Sequence, residues 1–160
     1  MKASDEAEQP DNAGVAFHPP LLLAASLGVG FLLRWLAPLP VFSSTASTMI
    51  GPAIVALSVG IFSWAAGTML RGHASIPTNT PTDAIVTRWP FRFSRNPIYL
   101  SMVLLHIGVG VWTNSLWFFV LAATCVVLLT WGVILREERY LERKFGHEYL
   151  SYKSRVRRWI

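Results

Sequence analysis

PIYLSMVLLHIGVGVWTNSLWFFVLAATCVVLLTWGVIL, residues 97–135, contains two apolar runs that are separated by the polar pair Thr113-Asn114. Each run, 97–112 and 115–135, is close to the ~20 residues that a helix needs to cross the hydrocarbon layer of a membrane. A lone strand in lipid would leave its backbone groups unpaired, so both runs are predicted to be helices. Because the connection is so short, the two helices should form an antiparallel hairpin.

Two further apolar segments precede this hairpin, at residues 20–37 and 48–70. The chain of 160 residues is 52% hydrophobic and has a mean hydropathy of +0.42, which is too apolar for an ordinary soluble domain of this size. The sequence therefore predicts an all-α integral membrane protein with about four transmembrane helices. Its length predicts a single domain, 19–160, after a loose N-terminal tail, 1–18, that is polar and lacks periodicity.

The distribution of basic residues predicts the orientation of this domain. The chain has 14 Lys+Arg against 9 Asp+Glu and a formal net charge of +5. In an apolar chain, such an excess indicates anionic lipid headgroups as the partner rather than nucleic acid. The basic residues cluster in the connection 71–96 and after residue 135, whereas the connections 38–47 and 113–114 carry none. The positive-inside rule thus places the basic side and both termini in the cytoplasm.

The connection before the hairpin carries the first candidate site, TRWPFRFSRNPIY at residues 87–99. Pro97 suits the first helical position, and Asn96 before it is a good N-cap. The positive end of the helix dipole then lies beside Arg92 and Arg95, which predicts an anion site for a carboxylate or a phosphate. The aromatic residues of this stretch could stack on a flat base such as adenine. An equally good interpretation is a basic and aromatic anchor on the lipid surface.

The second candidate site follows the hairpin, where REERYLERKFGHEY at residues 136–149 extends the last helix into water. Glu137 and Glu138 project about 100° apart on a helix, so one can face the bundle while the other faces water. An inward carboxylate there could accept hydrogen bonds from ribose hydroxyls or from a cationic amino group. Gly146 is predicted to end this helix at a left-handed cap position. The hairpin returns both stretches to the same depth, so one site can use both.

Other ionisable residues in the apolar segments carry weaker predictions. Arg34 is expected to reach the membrane interface, and His106 to bond a neighbouring helix or to line a cavity. The histidines are not arranged like ligands and Cys125 stands alone, so no metal site is predicted.

Taken together, Arg-Asn-Pro-Ile-Tyr (95–99), Glu-Glu (137–138) and LERKFGHEYLSY (141–152), with the basic end 155–159, resemble the isoprenylcysteine carboxyl methyltransferase and phospholipid methyltransferase superfamily. The resemblance covers about residues 75–160. It implies a membrane enzyme of the bacterial inner membrane with a cytoplasmic C-terminal helix. S-adenosylmethionine would bind at the cytoplasmic boundary, and a lipophilic small molecule or lipid would enter from the bilayer as methyl acceptor. A second copy of the chain could complete the cavity as a homo-oligomer.

The resemblance also implies roles for particular residues. The prenylcysteine branch binds its substrate with an arginine at the position of Val133, so Arg136, about one turn away, and Arg92 are the candidates for orienting the acceptor. The positions that correspond to cofactor-binding residues are Asp83, Ala84, Ile85, Val86, Phe91, Asn96, Pro97, Ile98, Tyr99, Glu137 and Glu138.

Two other functions are consistent with the same sequence. Sterol-type membrane reductases resemble this helical hairpin and use NADPH in a similar cavity. A non-enzymatic adaptor would use the basic C-terminal end to hold anionic lipid or a protein partner. The spacing between Arg-Asn-Pro-Ile-Tyr and Glu-Glu favours the methyltransferase. Phospholipid amines, thiols and isoprenoid acids would all suit an apolar acceptor cavity.

Overall fold

The computed structural model describes residues 12–42, 44–72, 74 and 80–160. Their regular structure consists of α1 (Pro19–Leu36), α2 (Ser44–Arg71), α3 (Pro97–Trp112), α4 (Leu116–Leu129), a π-helical segment (Thr130–Ile134), α5 (Leu135–Phe145) and α6 (His147–Arg155). Over these described ranges there is no β-strand, and the predicted all-α class is confirmed.

Within the described residues, three stretches are long and apolar enough to cross a membrane: α1, residues Ser47–Arg71 of α2, and the continuous rod Leu116–Phe145 formed by α4, the π segment and α5. Helix α3 is apolar but has only 16 residues. Large apolar side chains such as Trp35 and Met49, each 78% exposed, point away from the protein, as expected for a surface that lipid covers. A fourth span through α3 stays a prediction.

Helix α3 packs most extensively against α2, and glycines permit the close approach of the two backbones. A Cβ atom at Gly51 would overlap the backbone of Trp112, and one at Gly108 would lie 2.9 Å from the backbone nitrogen of Val55. Small residues at such contacts are a common means of helix association in membranes, where van der Waals packing replaces the hydrophobic effect. The pairing of α2 and α3 thus depends on these two positions.

The predicted hairpin is confirmed, since α3 ends at Trp112 and α4 begins at Leu116. Asn114 has a φ of 48° in the turn, and its Oδ1 accepts hydrogen bonds of 2.8 Å from the backbone N–H groups of Val41 and Phe42. Arg34 donates from Nε to the Thr113 carbonyl oxygen at 3.0 Å. The end of α1, the segment after it and the hairpin turn are therefore joined at one end of the bundle.

A buried polar cluster connects three helices in the middle of the bundle. His106 of α3 has no exposed surface; its Nε2 lies 2.8 Å from Ser26 Oγ of α1 and its Nδ1 lies 2.9 Å from the Met102 carbonyl oxygen. The thiol of Cys125 in α4 lies 3.6 Å from Ser26 Oγ. Of the two roles considered for His106, a bond to a neighbouring helix is the one observed.

The predicted loose tail, 1–18, is described only in its second part. Residues 1–11 lie outside the described residues. Residues 12–18, which we call the N-terminal strap, run along the rod just before α1 begins, and Val15 and Phe17 pack against the core around Leu129 and Val133. The strap therefore belongs to the packed part of the protein.

Candidate functional site

A cavity of about 500 Å³ lies where α2 ends, α3 begins and α5 and α6 meet. Its walls are mostly apolar, with a small number of tyrosines and charged side chains at one side, which is typical of ligand sites. The described residues that line it are Ala13, His18, Pro19, Pro20, Leu21, Phe62, Met69, Ala74, Thr80, Thr82, Ala84, Ile85, Val86, Phe91, Arg95, Asn96, Pro97, Ile98, Tyr99, Met102, Ile134, Glu137, Glu138, Tyr140, Leu141, Tyr149 and Tyr152.

The cavity brings together nearly all of the residues that the resemblance assigned to the cofactor. Ala84–Val86, Phe91, Asn96–Tyr99 and the pair Glu137–Glu138 line it. Asp83 is exposed and is not among the lining residues. The two stretches of sequence thus meet at one site, as the hairpin predicted, while their role in cofactor binding stays a prediction.

Glu137 faces the cavity and is held by Tyr99, whose hydroxyl donates to Glu137 Oε1 at 2.8 Å. The carboxylate follows the π segment Thr130–Ile134, which the sequence did not predict. A π segment widens the helix locally and changes the direction of the residues after it, and such segments are frequent at functional sites. The remaining acceptor positions of Glu137 are therefore directed at the cavity from a fixed point.

Glu138 is the more buried carboxylate of the pair, with 4% of its surface exposed. It accepts two bonds from Arg158, from Nε at 2.8 Å and from Nη2 at 2.9 Å, and lies 3.2 Å from Arg95 Nη2 and 3.6 Å from Lys153 Nζ. The expectation that one glutamate faces water was wrong. Three cations from distant parts of the chain draw Glu138 inward, and local helix geometry does not reveal them.

The C-terminal end fastens the loop before α3. The backbone N–H of Arg95 donates to the Arg157 carbonyl oxygen at 3.0 Å, and the Asn96 side-chain amide donates to the Arg158 carbonyl oxygen at 2.9 Å. Asn96 occupies the N-cap position of α3, but its side chain makes no capping hydrogen bond there. The predicted cap was wrong in this respect, because the C-terminal backbone competes for the same side chain.

Two tyrosines of α6 for which the sequence predicted no individual role also line the cavity. Tyr149 and Tyr152 are 3% and 6% exposed, and the Tyr152 hydroxyl donates to the Phe91 carbonyl oxygen at 2.7 Å. Burial raises the pKa of Tyr149 to about 12 and also raises the pKa of Tyr152. Both phenols therefore stay protonated at neutral pH. Their i,i+3 spacing after Gly146, whose φ of 51° confirms the predicted helix end, was the available signal.

The N-terminal strap contributes Ala13 and His18 to the cavity lining and is fastened to the rod. The Ala16 N–H donates to the Gly132 carbonyl oxygen at 2.9 Å, and the Phe17 ring occupies the space where a Cβ atom of Gly132 would lie. Arg136 donates from Nη1 to the Gly14 carbonyl oxygen at 2.8 Å. Gly132 of the π segment thus holds the strap in two ways. Its carbonyl oxygen accepts the hydrogen bond from Ala16, and its missing side chain leaves a notch for the Phe17 ring.

Substitution of Gly132 by alanine is expected to displace the strap, because the new methyl group overlaps Phe17. Overpacking of this kind typically costs about 1–3 kcal/mol, so a water-soluble maleimide should label an Ala13→Cys reporter about fivefold faster or more, in a Cys125→Ser background. Phe17→Ala should act similarly. Because both changes remove the same contact, the double variant should label no faster than the faster single variant. An unchanged rate in Gly132→Ala would show that the strap is not held at this notch.

The two arginines proposed from the sequence for the acceptor lie outside the cavity lining. Arg92 is exposed on the turn before α3, and Arg136, also exposed, is engaged with Gly14 of the strap. Arg95, between them in the sequence, is the arginine that enters the cavity wall. The acceptor roles of Arg92 and Arg136 stay predictions.

This site belongs to a helical membrane protein with a glutamate and a tyrosine directed into an apolar cavity near one end of the bundle. Residues 46–148 match the phospholipid methyltransferase family, and the chain belongs to that family of membrane methyltransferases. An uncharacterized protein of Haemophilus influenzae is 36% identical over 63 residues, which cover 39% of this chain and 100% of that protein. No solved structure matches the chain.

Proposed function

We propose that this protein transfers the methyl group of S-adenosylmethionine to a lipophilic acceptor at the cytoplasmic boundary of the bacterial inner membrane. The observation that carries the proposal is the Glu137 carboxylate, fixed by Tyr99 at a cavity with largely apolar walls, in a chain of the phospholipid methyltransferase family. The family match names neither the cofactor nor the class of acceptor, and both are part of the proposal.

The chemical character of the cavity fits S-adenosylmethionine. A volume of about 500 Å³ falls in the range of ordinary small-molecule sites, about 300–1,000 Å³. Ile85, Val86 and Phe91 offer apolar surface to an adenine ring, and Glu137 offers acceptors to ribose hydroxyls or to an ammonium group. When bound, the cofactor supplies a methyl group activated on a sulfonium, so the protein needs no metal or nucleophile of its own.

The protein's own contribution would be alignment and exclusion of water. Methyl transfer needs the acceptor in line with the carbon–sulfur bond, and fixed placement of two reactants lowers the entropic part of the barrier. Glu137 and Tyr99 fix one reactant from the rod and from α3, while the strap and the walls formed by α2 keep water out. Arg136 and Arg92, which lie outside the cavity lining, would orient the polar end of the acceptor.

The membrane arrangement is part of the same proposal. We place the end of the bundle that holds the cavity, with α6, in the cytoplasm, because the basic connection before α3 and the basic C-terminal end both lie there. Helix α3 would cross the membrane with the others in a single domain, 19–160. A homo-oligomer would place lipid-facing surfaces of α1 and α2 against a second copy.

The direct test is methyl transfer in reconstituted vesicles. Purified protein would be incubated with S-adenosylmethionine labelled in its methyl group and with vesicles of phosphatidylethanolamine, of phosphatidylglycerol, or of total bacterial lipid. We expect label to appear in the organic-solvent phase, and its distribution among the three compositions identifies the acceptor class. Folded protein that transfers no label with any lipid, including the total extract, would contradict the proposal.

A further inference from the structure

Arg95 has more hydrogen-bonding capacity than the surrounding protein uses. Its side chain is 8% exposed, and Nη2 lies 3.2 Å from Glu138 Oε1. Its Nε and Nη1 atoms are buried and have no hydrogen-bond partner among the described residues. Buried polar groups nearly always have a partner, and an orphaned one usually marks an absent ligand, ion or water.

The backbone that carries this guanidinium is held at Arg95 and at the next residue, and the guanidinium itself contacts Glu138. The arginine's own backbone N–H is bonded to Arg157, and the next residue, Asn96, is bonded to Arg158 and precedes the first turn of α3. Arg95 also lines the cavity. A guanidinium is a rigid planar fork, and held in this way it presents its donors in a defined direction.

The carboxylates described around this cluster leave Nε and Nη1 of Arg95 without an acceptor. Glu138 is shared by Arg95, Arg158 and Lys153, and Glu142 pairs with Lys153. Glu137, the third carboxylate beside the cavity, is bonded to Tyr99 and not to Arg95. A carboxylate or phosphate in the cavity would supply acceptors to these Arg95 donors, and hydrogen bonds between a guanidinium and an oxyanion are among the stronger ones in proteins.

We propose that Arg95 is the receptor for an oxyanion inside the cavity, a carboxylate or phosphate carried by one of the two reactants. This inference rests on the proposed function for the choice of ligand. The group would be either the amino-acid carboxylate of the cofactor or the phosphate of a phospholipid acceptor. Arg95 is thereby a binding residue, distinct from Arg92 and Arg136, which lie outside the cavity lining.

The test compares Arg95→Gln with Arg158→Gln. Both variants remove a cationic partner of Glu138. Arg158 uses Nε and Nη2 on that carboxylate, whereas Nε and Nη1 of Arg95 have no hydrogen-bond partner among the described residues. Calorimetric titrations would use S-adenosylhomocysteine and 5′-methylthioadenosine, which share the adenosine and the thioether but differ in the amino-acid group. A third titration would use dihexanoyl-phosphatidylethanolamine below its micellar concentration, with dihexanoylglycerol as its phosphate-free counterpart.

If Arg95 binds the cofactor carboxylate, Arg95→Gln should lower the affinity ratio of S-adenosylhomocysteine to methylthioadenosine by about tenfold or more, while Arg158→Gln keeps the wild-type ratio. If Arg95 binds the acceptor phosphate, the nucleoside ratio stays unchanged and the ratio of phospholipid to diacylglycerol falls instead. Unchanged ratios for both pairs, or equal falls in both variants, would overturn the inference. Should Arg95→Gln fail to fold, Arg95→Lys keeps the charge opposite Glu138 but loses the planar guanidinium. The same two affinity ratios, measured in that variant, then test the inference.

The two proposals fail in distinguishable ways. Wild-type protein that is folded but binds neither nucleoside would contradict the proposed cofactor, and the phosphate pair would still test Arg95. Wild-type protein that binds S-adenosylhomocysteine, with no change of either ratio in the Arg95 variants, would leave the methyltransferase proposal standing and reject the oxyanion site.

Discussion

Glu137→Ala should weaken S-adenosylmethionine binding by about 10- to 100-fold, because hydrogen bonds to a charged group are each worth about 1.5–3 kcal/mol. The carboxylate lies at the cavity wall and is held at one oxygen by Tyr99. Removing it deletes acceptors that ribose hydroxyls or an ammonium group would use, and it also leaves the Tyr99 hydroxyl without its partner. Methyl transfer should fall at least in proportion.

Two other variants separate this effect from general damage. Glu148→Ala removes an exposed carboxylate of α6 outside the cavity lining and should leave the affinity unchanged. Tyr99→Phe keeps the Glu137 carboxylate but releases it, so its loss of affinity should be smaller than that of Glu137→Ala. Binding by calorimetry, with circular dichroism as the check of folding, measures all three. Wild-type affinity in a folded Glu137→Ala protein would remove Glu137 from the cofactor site.

Glu138→Ala should be the most destabilising of the carboxylate substitutions, by about 3 kcal/mol, because it leaves buried cations without their counter-charge. Arg95 and Glu138 are both nearly inaccessible to solvent, and Arg158 binds the same carboxylate through two atoms. The value lies at the lower end of the range for buried pairs, since the side chains of Arg158 and Lys153 are each 34% exposed. The loop before α3 and the C-terminal end should loosen together.

The matched control for this prediction is Glu142→Ala. Glu142 also pairs with Lys153, but both side chains are about one-third exposed, and exposed pairs contribute only about 0–1 kcal/mol. The midpoint of thermal unfolding in detergent should therefore fall clearly in Glu138→Ala and little in Glu142→Ala. Equal midpoints for the two variants would show that the Glu138 cluster does not hold the C-terminal end in place.

The helices were predictable from the sequence because the signal for each lies within its own residues. Apolar runs of sufficient length located α1, α2 and the rod, and the two polar residues at 113–114 located the hairpin turn. The hairpin then predicted that the stretch around Asn96 and the pair Glu137–Glu138 would meet, which the cavity confirms. Each of these inferences uses only local pattern and chain connectivity.

The features that the sequence did not reveal depend on contacts between distant residues. The inward position of Glu138 is caused by Arg158, twenty residues further on, and by Arg95 from the other stretch. Asn96 bonds the C-terminal backbone instead of capping its own helix. The strap position depends on Gly132 in a π segment, for which apolar periodicity has no signature. The partner that each of these groups bonds is determined by how distant parts of the chain pack together, and a local sequence pattern does not contain that information.

Titration of S-adenosylmethionine and, separately, of NADPH into the detergent-purified 160-residue chain discriminates between the methyltransferase and a reductase of similar helical architecture. We predict saturable, one-to-one binding of S-adenosylmethionine, competition by S-adenosylhomocysteine, and no binding of NADPH. Saturable NADPH binding by a folded protein that does not bind S-adenosylmethionine would contradict the proposed cofactor.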